Sequence, residues 1–133
     1  MRADTQTVTI KVPRSEVLRF VADGANLPRW AIGFAKAVAR EGDAWLVTTA
    51  HGKVPTRIAV DEAGGTVDFH MDMGPAGNAA AFTRIVPNGH GSEFVFTQFQ
   101  GEGVPDDVFD QLVAAVGHEL TALKALLEVE CPL

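Results

Sequence analysis

The chain has 133 residues, 47% of them hydrophobic and 21% charged, which predicts one globular domain over residues 1–133 whose core needs no disulfide or metal. The formal net charge is -6 and the eleven Lys and Arg residues form no basic run, which argues against a nucleic-acid partner and against an anionic membrane surface. A single cysteine, Cys131, and an N-terminal stretch without an apolar signal region predict a cytoplasmic location, and no apolar run is long enough for membrane insertion.

The first part of the chain predicts one strand followed by two short helical pieces. Apolar and polar residues alternate over Thr5–Val12, which is typical of a half-buried strand. Pro13 suits the first turn of a helix over Arg14–Asp23, and Gly24 ends it. A second helical piece is expected to end on Leu27-Pro28-Arg29-Trp30.

The middle of the chain is divided by five glycine-bearing turns. These turns are Glu41-Gly42-Asp43, His51-Gly52-Lys53, Glu62-Ala63-Gly64-Gly65, Gly74-Pro75-Ala76-Gly77 and Pro87-Asn88-Gly89-His90-Gly91. Asn-Gly is a strong hairpin signal, because both residues tolerate a positive φ. Closely spaced turns predict antiparallel strands, about seven with the first one.

Two of these strands have one apolar and one polar face. The apolar side chains alternate with polar ones over Val67–Met73, and Phe94 and Phe96 alternate with their neighbours over Glu93–Phe99. This pattern is typical of an antiparallel sheet with one solvated face, so the other face must be covered.

A long amphipathic helix, predicted over Asp106–Glu130, is the element available to cover that face. Its apolar stripe at helical spacing consists of Phe109, Leu112, Val113, Val116, Leu120, Leu123 and Leu127. The sequence therefore predicts an α+β fold. An antiparallel sheet of about seven strands is expected to curl around the long C-terminal helix, with two short helices after the first strand.

Several predicted strand positions carry side chains too small to fill a core, namely Ala35, Ala37, Ala39, Ala79, Ala80 and Ala81. Alanine is unfavourable in strands unless something else packs there. Gly117 lies within the predicted helix, where glycine costs about 1 kcal/mol relative to alanine and lets a neighbour approach closely. That neighbour is either the sheet backbone or a ligand. The small residues predict a cavity between sheet and helix.

Large and adaptable apolar side chains are the candidate walls of this cavity. The candidate ligand-binding residues of this kind are Trp30, Phe34, Trp45, Met71, Phe82, Phe94 and Phe96, with Val113 and Gly117 from the helix. The alternative for each of them is a place in an ordinary hydrophobic core.

Four polar residues are candidates for contact with a ligand: His118, Gln98, Arg84 and Arg57. His118 lies beside the helix stripe and is the candidate catalytic base or hydrogen-bond anchor, because imidazole titrates near neutral pH. Gln98 has the same strand parity as Phe96, so it is expected to point inward, where its amide needs a partner. Arg84 has the parity of Phe82 and suits a carboxylate. An ordinary surface or network role is the alternative for each.

A metal site is not expected. Asp68, His70 and Asp72 share one strand face, but this face is expected to be the solvated one because the opposite face is apolar. A His/carboxylate metal clip or an acid–base pair is the alternative there. The histidines lack the spacing of a zinc site, and we expect neither a metal nor another cofactor.

Several local motifs occur in order along the chain: Val12-Pro13 with Glu16-Val17 and Phe20, then Leu27-Pro28-Arg29-Trp30, Trp45-Leu46-Val47-Thr48-Thr49 with Gly52, Val86–Thr97, and Leu120–Leu127. These motifs and the order of elements resemble the START-like helix-grip superfamily (SRPBCC), and within it the polyketide cyclase/dehydrase-like proteins. The resemblance covers nearly the whole chain, and it implies an α+β helix-grip fold.

The resemblance implies a seven-stranded antiparallel sheet wrapped around the C-terminal helix, with a hydrophobic cavity between them. Members of the superfamily bind lipids, sterols, plant hormones, aromatic polyketides or partner proteins, and most have no metal and no common catalytic residues. The fold is therefore expected to transfer, whereas the function is not.

The first functional hypothesis is a module that binds a small hydrophobic or aromatic molecule without chemistry. The alternatives are a cyclase/dehydrase-type enzyme, with His118 or Gln98 orienting the substrate, and a protein-interaction domain with an exposed apolar patch. Binding is preferred because the residues expected to face inward are almost all apolar. No motif specifies an oligomeric state.

Overall fold

The computed structural model describes residues 1–131, over which the chain forms seven strands and three α-helices. The strands are β1 (Ala3–Ile10), β2 (Ala37–Glu41), β3 (Ala44–Thr49), β4 (Gly52–Asp61), β5 (Thr66–Asp72), β6 (Asn78–Asn88) and β7 (Gly91–Phe99). The helices are α1 (Arg14–Ala22), α2 (Leu27–Trp30) and α3 (Asp106–Glu130), with short 3-10 turns at Gly24–Asn26 and Gly74–Ala76. The predicted α+β helix-grip class is confirmed.

All seven strands belong to one open antiparallel sheet with the order β1-β7-β6-β5-β4-β3-β2. Strands β2 to β7 follow one another as a meander, and β1 returns to pair with β7, so that Val8 lies opposite Phe94. The two edges of the sheet are therefore β1 and β2. Short turns join the antiparallel neighbours, as the glycine-bearing segments predict.

Helix α3 packs along the β1 edge of the sheet. The Lys124 ammonium donates to the Thr9 carbonyl at 2.7 Å, and the Lys11 amide donates to the Glu128 carboxylate at 2.8 Å. Lys124 also donates to Glu128, and this hydrogen bond lowers the pKa of the carboxyl group. Backbone groups at the end of β1 thus bond to α3, which blocks pairing with another strand there.

The core lies between the inner face of the sheet and α3. Sheet residues such as Val67, Ile85 and Phe94 are fully or almost fully buried. The buried apolar residues of α3 are Phe109, Val116, Leu120, Leu123 and Leu127, all of which belong to the predicted stripe. None of the helices in residues 1–131 is both long and apolar enough to cross a bilayer.

Candidate functional site

An apolar cavity of about 230 Å³ lies between the inner face of the sheet, the N-terminal half of α3 and the segment around α2. The sheet contributes Phe69, Met71 and Phe96, among others. Leu112, Ala115, Val116 and Glu119 line it from α3. The C-terminal half of α3 fills the core instead, where Leu123 and Leu127 are completely buried.

Short side chains leave this space open. Ala79, Ala80 and Ala81 line the cavity from β6, and Ala31 and Ala115 line it from the opposite side. None of these methyl groups reaches far enough to close the gap between sheet and helix. The other predicted small strand positions lie elsewhere: Ala35 is buried in the core, and Ala37 and Ala39 are exposed on β2.

The cavity reaches the surface at an apolar rim. Met73, Phe99 and Leu112 line it, yet their exposed fractions are 41%, 47% and 46%. Exposed apolar side chains that cluster around an opening are typical of a ligand-binding groove. They give an apolar molecule a continuous hydrophobic path from the surface to the interior.

Five of the candidate ligand-binding residues line the cavity: Trp30, Phe34, Met71, Phe96 and Gln98. Trp30 is 1% exposed, and its ring meets those of Phe69 and Phe94 edge-on at centroid distances of 6.3 and 6.0 Å. These contacts fix the indole in the cavity wall. Gln98 points inward, and its amide donates to Asp4 at 3.4 Å.

Two other candidates lie outside the cavity because they pack elsewhere on the inner face. The Trp45 ring covers Gly24 so closely that a Cβ there would overlap it, and the Arg40 guanidinium lies 5.1 Å from the Trp45 ring centroid. Phe94 is completely buried in the core. Gly24 was expected only to end a helix, but its lack of a side chain also makes room for the Trp45 ring.

Phe82 and Arg84 lie on the outer face of the sheet, which corrects the expectation that they face inward. The inward residues of β6 are Ala81, Thr83 and Ile85. Thr83 is compatible with burial because its hydroxyl donates to the Val67 carbonyl at 2.6 Å. Phe82 packs instead on the outer face, edge-on to His70 and Phe99.

The helix candidates Val113, Gly117 and His118 also lie outside the cavity. The Gln6 amide of β1 donates to the Val113 carbonyl at 2.8 Å, and a Cβ at Gly117 would lie 3.3 Å from Oε1 of Gln6. The close neighbour of Gly117 is therefore a side chain of β1 rather than the sheet backbone or a ligand. His118 is exposed on the next face of the helix.

Glu119 is the functional candidate that sequence reasoning missed. Its exposed fraction is 5%, and among residues 1–131 it is the one ionisable residue that lines the cavity. The Gly33 amide, just after α2, donates to its Oε2 at 3.1 Å. Its spacing in the sequence could have revealed it. Glu119 lies three residues after Val116 and four before Leu123, which places it on the buried stripe of the helix.

The environment of Glu119 favours a neutral carboxyl group. Burial raises its pKa to about 7, against the opposing effect of the backbone amides of Gly33 and Phe34. The Gly33 amide donates a hydrogen bond directly to the carboxyl group. The Phe34 amide lies nearby, but its hydrogen bond goes to the Ala31 carbonyl at 2.9 Å. The group therefore changes its protonation state near neutral pH, as a general acid–base catalyst does, and at lower pH its protonated form can donate a hydrogen bond.

Trp30 provides a second polar group in the cavity wall. Its indole nitrogen Nε1 is buried, and nothing within residues 1–131 accepts a hydrogen bond from it. A buried donor left unpaired costs about 1–3 kcal/mol. In the described part of the chain, the lining residues whose side chains carry nitrogen or oxygen are Trp30, Gln98 and Glu119.

No group of three or more His, Cys, Asp or Glu side chains in residues 1–131 is arranged to hold a metal ion. Asp68, His70 and Asp72 share the outer face of β5, opposite the face that carries Phe69 and Met71. His70 packs against the ring of Phe82 at a centroid distance of 6.4 Å.

The model of a protein family described as "Polyketide cyclase / dehydrase and lipid transport" matches residues 1–128. No curated protein is significantly similar to the chain in sequence. Among solved structures, XoxI from Bacillus cereus is similar with a TM-score of 0.78, at 16% identity over 98% of this chain and 99% of that protein.

Two further solved structures share the fold. Ara h 8.0201 has a TM-score of 0.70 at 20% identity, over 95% of this chain and 97% of its own. The di-domain ARO/CYC protein BexL of the BE-7585A biosynthetic pathway has a TM-score of 0.75 at 21% identity. That match covers 96% of this chain and 47% of BexL. At these identities the likeness shows the fold alone.

Proposed function

Because this chain belongs to the polyketide cyclase/dehydrase and lipid transport family, we propose that it binds a small hydrophobic or aromatic molecule, lipid- or polyketide-like, between the sheet and α3. The observation that carries the proposal is the apolar cavity of about 230 Å³. An engineered protein cavity of roughly 150 Å³ stays dry and binds benzene, so this space suits an aromatic or short aliphatic molecule.

The walls and the rim supply the binding free energy. Apolar surface removed from water contributes about 25 cal/mol per Å², and the walls formed by Phe69, Met71 and Phe96 are apolar. The rim residues Met73 and Phe99 extend this surface outward. A mostly apolar cavity with a few polar groups is the usual form of a small-molecule site. A cytoplasmic location, predicted from the lone cysteine, is part of the same proposal.

Native mass spectrometry of the freshly purified protein, followed by denaturation and analysis of the released material, tests this function. We expect a small apolar molecule to be retained, or the protein to take up added 2-acetylnaphthalene. A protein that arrives empty and takes up no 2-acetylnaphthalene contradicts the proposal.

A matched pair of variants locates the binding. Ala81→Leu places a larger side chain in the cavity wall, whereas Ala39→Leu adds the same atoms at an exposed position of β2. Binding of 2-acetylnaphthalene, measured by isothermal titration calorimetry, is expected to fall at least tenfold in Ala81→Leu. It is expected to be unchanged in Ala39→Leu. Equal binding by both variants places the ligand outside the cavity.

The second candidate function is that of a cyclase/dehydrase-type enzyme, which the position of Glu119 favours. An acid–base mechanism needs a titratable group in the pocket, and Glu119 rather than the exposed His118 is that group here. BexL, an ARO/CYC protein by name, shares the fold. Under this alternative Glu119→Gln abolishes turnover of a polyketide-like substrate while leaving its binding nearly intact.

A further inference from the structure

We propose, on the basis of the proposed function, that Glu119 and Trp30 form a hydrogen-bonding subsite for the oxygen of a neutral carbonyl group on an otherwise apolar ligand. The ligand class is thereby narrowed from any hydrophobic molecule to an apolar carbonyl compound, such as a ketone. Both residues line the cavity, and both are almost completely buried.

The two groups share a chemistry that a carbonyl oxygen satisfies. The Trp30 indole N–H is only a donor, and it lacks a protein acceptor within residues 1–131. A neutral Glu119 carboxyl adds an O–H donor, while its Oε2 already accepts from Gly33. A carbonyl oxygen has two lone pairs, so it can accept from both.

The chain holds these groups on adjoining elements. Trp30 ends α2, and Gly33 follows it by three residues and bonds to Glu119 of α3. The edge-on contacts with Phe69 and Phe94 fix the indole, and the Gly33 amide fixes the carboxyl. Each of the two side chains is therefore held in place before a ligand binds, which lowers the entropic cost of binding.

Burial in apolar surroundings raises the pKa of Glu119, and no other charged group of residues 1–131 lines the cavity to oppose this effect. The segment around α2 carries Arg29, which pairs with Glu130, and the exposed Lys36. On α3 its neighbour His118 is exposed, and Lys124 pairs with Glu128.

From the sheet, the polar residue in the cavity is Gln98, whose amide donates to Asp4 of β1. A bound ammonium group would gain from a charged Glu119 but leave the Trp30 N–H unpaired. The unpaired indole therefore favours a ketone over an amine.

Isothermal titration calorimetry with three matched probes tests the subsite: 2-acetylnaphthalene, 2-isopropenylnaphthalene, in which a methylene group replaces the oxygen, and 1-(2-naphthyl)ethylamine. At pH 6 we expect the ketone to bind the wild-type protein about tenfold more tightly than the hydrocarbon, the effect of one or two buried hydrogen bonds. The preference is expected to shrink above pH 8, where Glu119 is ionised and can no longer donate.

Two variants of Glu119 separate hydrogen bonding from structure. Glu119→Gln keeps an N–H donor, so it is expected to retain the ketone preference and to lose its pH dependence. Glu119→Leu removes the donor, so the ketone and the hydrocarbon are expected to bind within about threefold of each other. Thermal melting confirms that both variants are folded.

Trp30 is tested without a substitution, because replacing a buried ring would disturb the core. The ¹H–¹⁵N signal of its indole is expected to move downfield with the ketone and to move little with the hydrocarbon. Equal affinities of the ketone and the hydrocarbon for the wild-type protein at pH 6, or tighter binding of the amine, overturn the subsite. Failure of all three probes to bind also overturns the subsite, and it overturns the proposed function as well if the purified protein retains no apolar molecule.

Discussion

A buried carboxyl group at Glu119 lowers the stability of the fold when it ionises, whereas the proposed binding site uses the same group as a hydrogen-bond donor. A carboxyl group that is 5% exposed among apolar side chains carries a free-energy cost when it ionises. A leucine at this position of α3 would continue the buried stripe without that cost. Retention of an ionisable group in a cavity wall is typical of a functional site rather than of a structural one.

The cost gives the folding stability a defined pH dependence. The pKa of Glu119 is about 7 in the folded protein and near the ordinary value of 4.5 in the unfolded chain. Between these values the unfolded state loses the proton while the folded state keeps it. Protonated Glu119 therefore contributes fully to the free energy of unfolding below about pH 4.5. This contribution falls by about 3 kcal/mol as the pH rises from 4.5 to 7.

Chemical denaturation of the wild type and of Glu119→Gln from pH 4.5 to 8 measures this effect. We expect the two proteins to be similarly stable at pH 4.5, and the variant to be more stable by about 3 kcal/mol at pH 8. Glu102→Gln, at an exposed loop position, is the matched control and is expected to follow the wild type. If the difference in free energy of unfolding between Glu119→Gln and the wild type is constant across this range, burial does not raise the pKa of Glu119.

The residue scale is also where prediction from the sequence fell short. Charged residues are rarely buried, so a stripe read from apolar spacing omitted Glu119 and favoured its neighbour His118. Phe82 was placed inward because it is large and apolar. The pairing of β6 instead turns Thr83 inward, and a hydrogen bond to the Val67 carbonyl makes this possible. Such local compensation leaves no trace in a hydrophobic pattern.

At the scale of elements, one close approach positions Glu119. Gly33 follows α2 at the point where the chain crosses α3, and a Cβ there would lie 3.0 Å from the Cβ of Ala115. That distance is shorter than ordinary van der Waals contact. The missing side chain allows the Gly33 amide to reach the Glu119 carboxyl.

A double-mutant cycle tests this approach. Gly33→Ala is expected to destabilise the protein by about 1–2 kcal/mol through overpacking, and Ala115→Gly by about 1 kcal/mol through lower helix propensity. In the double variant the overlap is relieved, so we expect it to be more stable than the sum of the two effects by at least about 0.5 kcal/mol. Urea denaturation supplies the free energies.

Gly101→Ala is the control for the general cost of replacing a loop glycine, because its Cβ would meet only Val104 at an ordinary 3.4 Å. It is expected to be close to neutral. Strict additivity of Gly33→Ala and Ala115→Gly would mean that the two positions do not touch.

Most elements were predictable because turn chemistry and periodicity act locally. The five glycine-bearing turns, the alternation over β5 and β7 and the stripe of α3 led to the observed elements. The cavity was predictable in kind from the small residues Ala79–Ala81. Its boundary was not, because the positions of Trp45 and Gly117 depend on partners that are distant in sequence, Gly24 and Gln6.

At the scale of the whole molecule, the two halves of α3 have different roles, one in the hydrophobic core and one in the cavity wall. Its C-terminal half packs against the sheet through residues such as Leu120, Leu123 and Leu127. Its N-terminal half borders the cavity with Leu112, Val116 and Glu119. Phe109 is buried and the Gln6 amide bonds to the Val113 carbonyl, so the N-terminal half is also held against β1 while it borders the cavity.

The outer face of the sheet carries the competing explanation. Phe82 and Phe99 are 39% and 47% exposed there, and their rings are in edge-on contact. An apolar patch of this kind suits the third hypothesis, a protein-interaction domain. Phe99 borders both the cavity rim and this patch, whereas Phe82 and Arg84 lie only on the outer face, so one experiment distinguishes the two sites.

That experiment is a ¹H–¹⁵N and methyl NMR titration of the intact protein with 2-acetylnaphthalene. If the cavity is the binding site, the largest shift changes occur at Trp30, Ala81, Val116 and the Gly33 amide, with little change at His70 and Arg84 on the outer face. Shift changes confined to the outer face, or no saturable change at all, would contradict the account of this protein as a container for an apolar molecule.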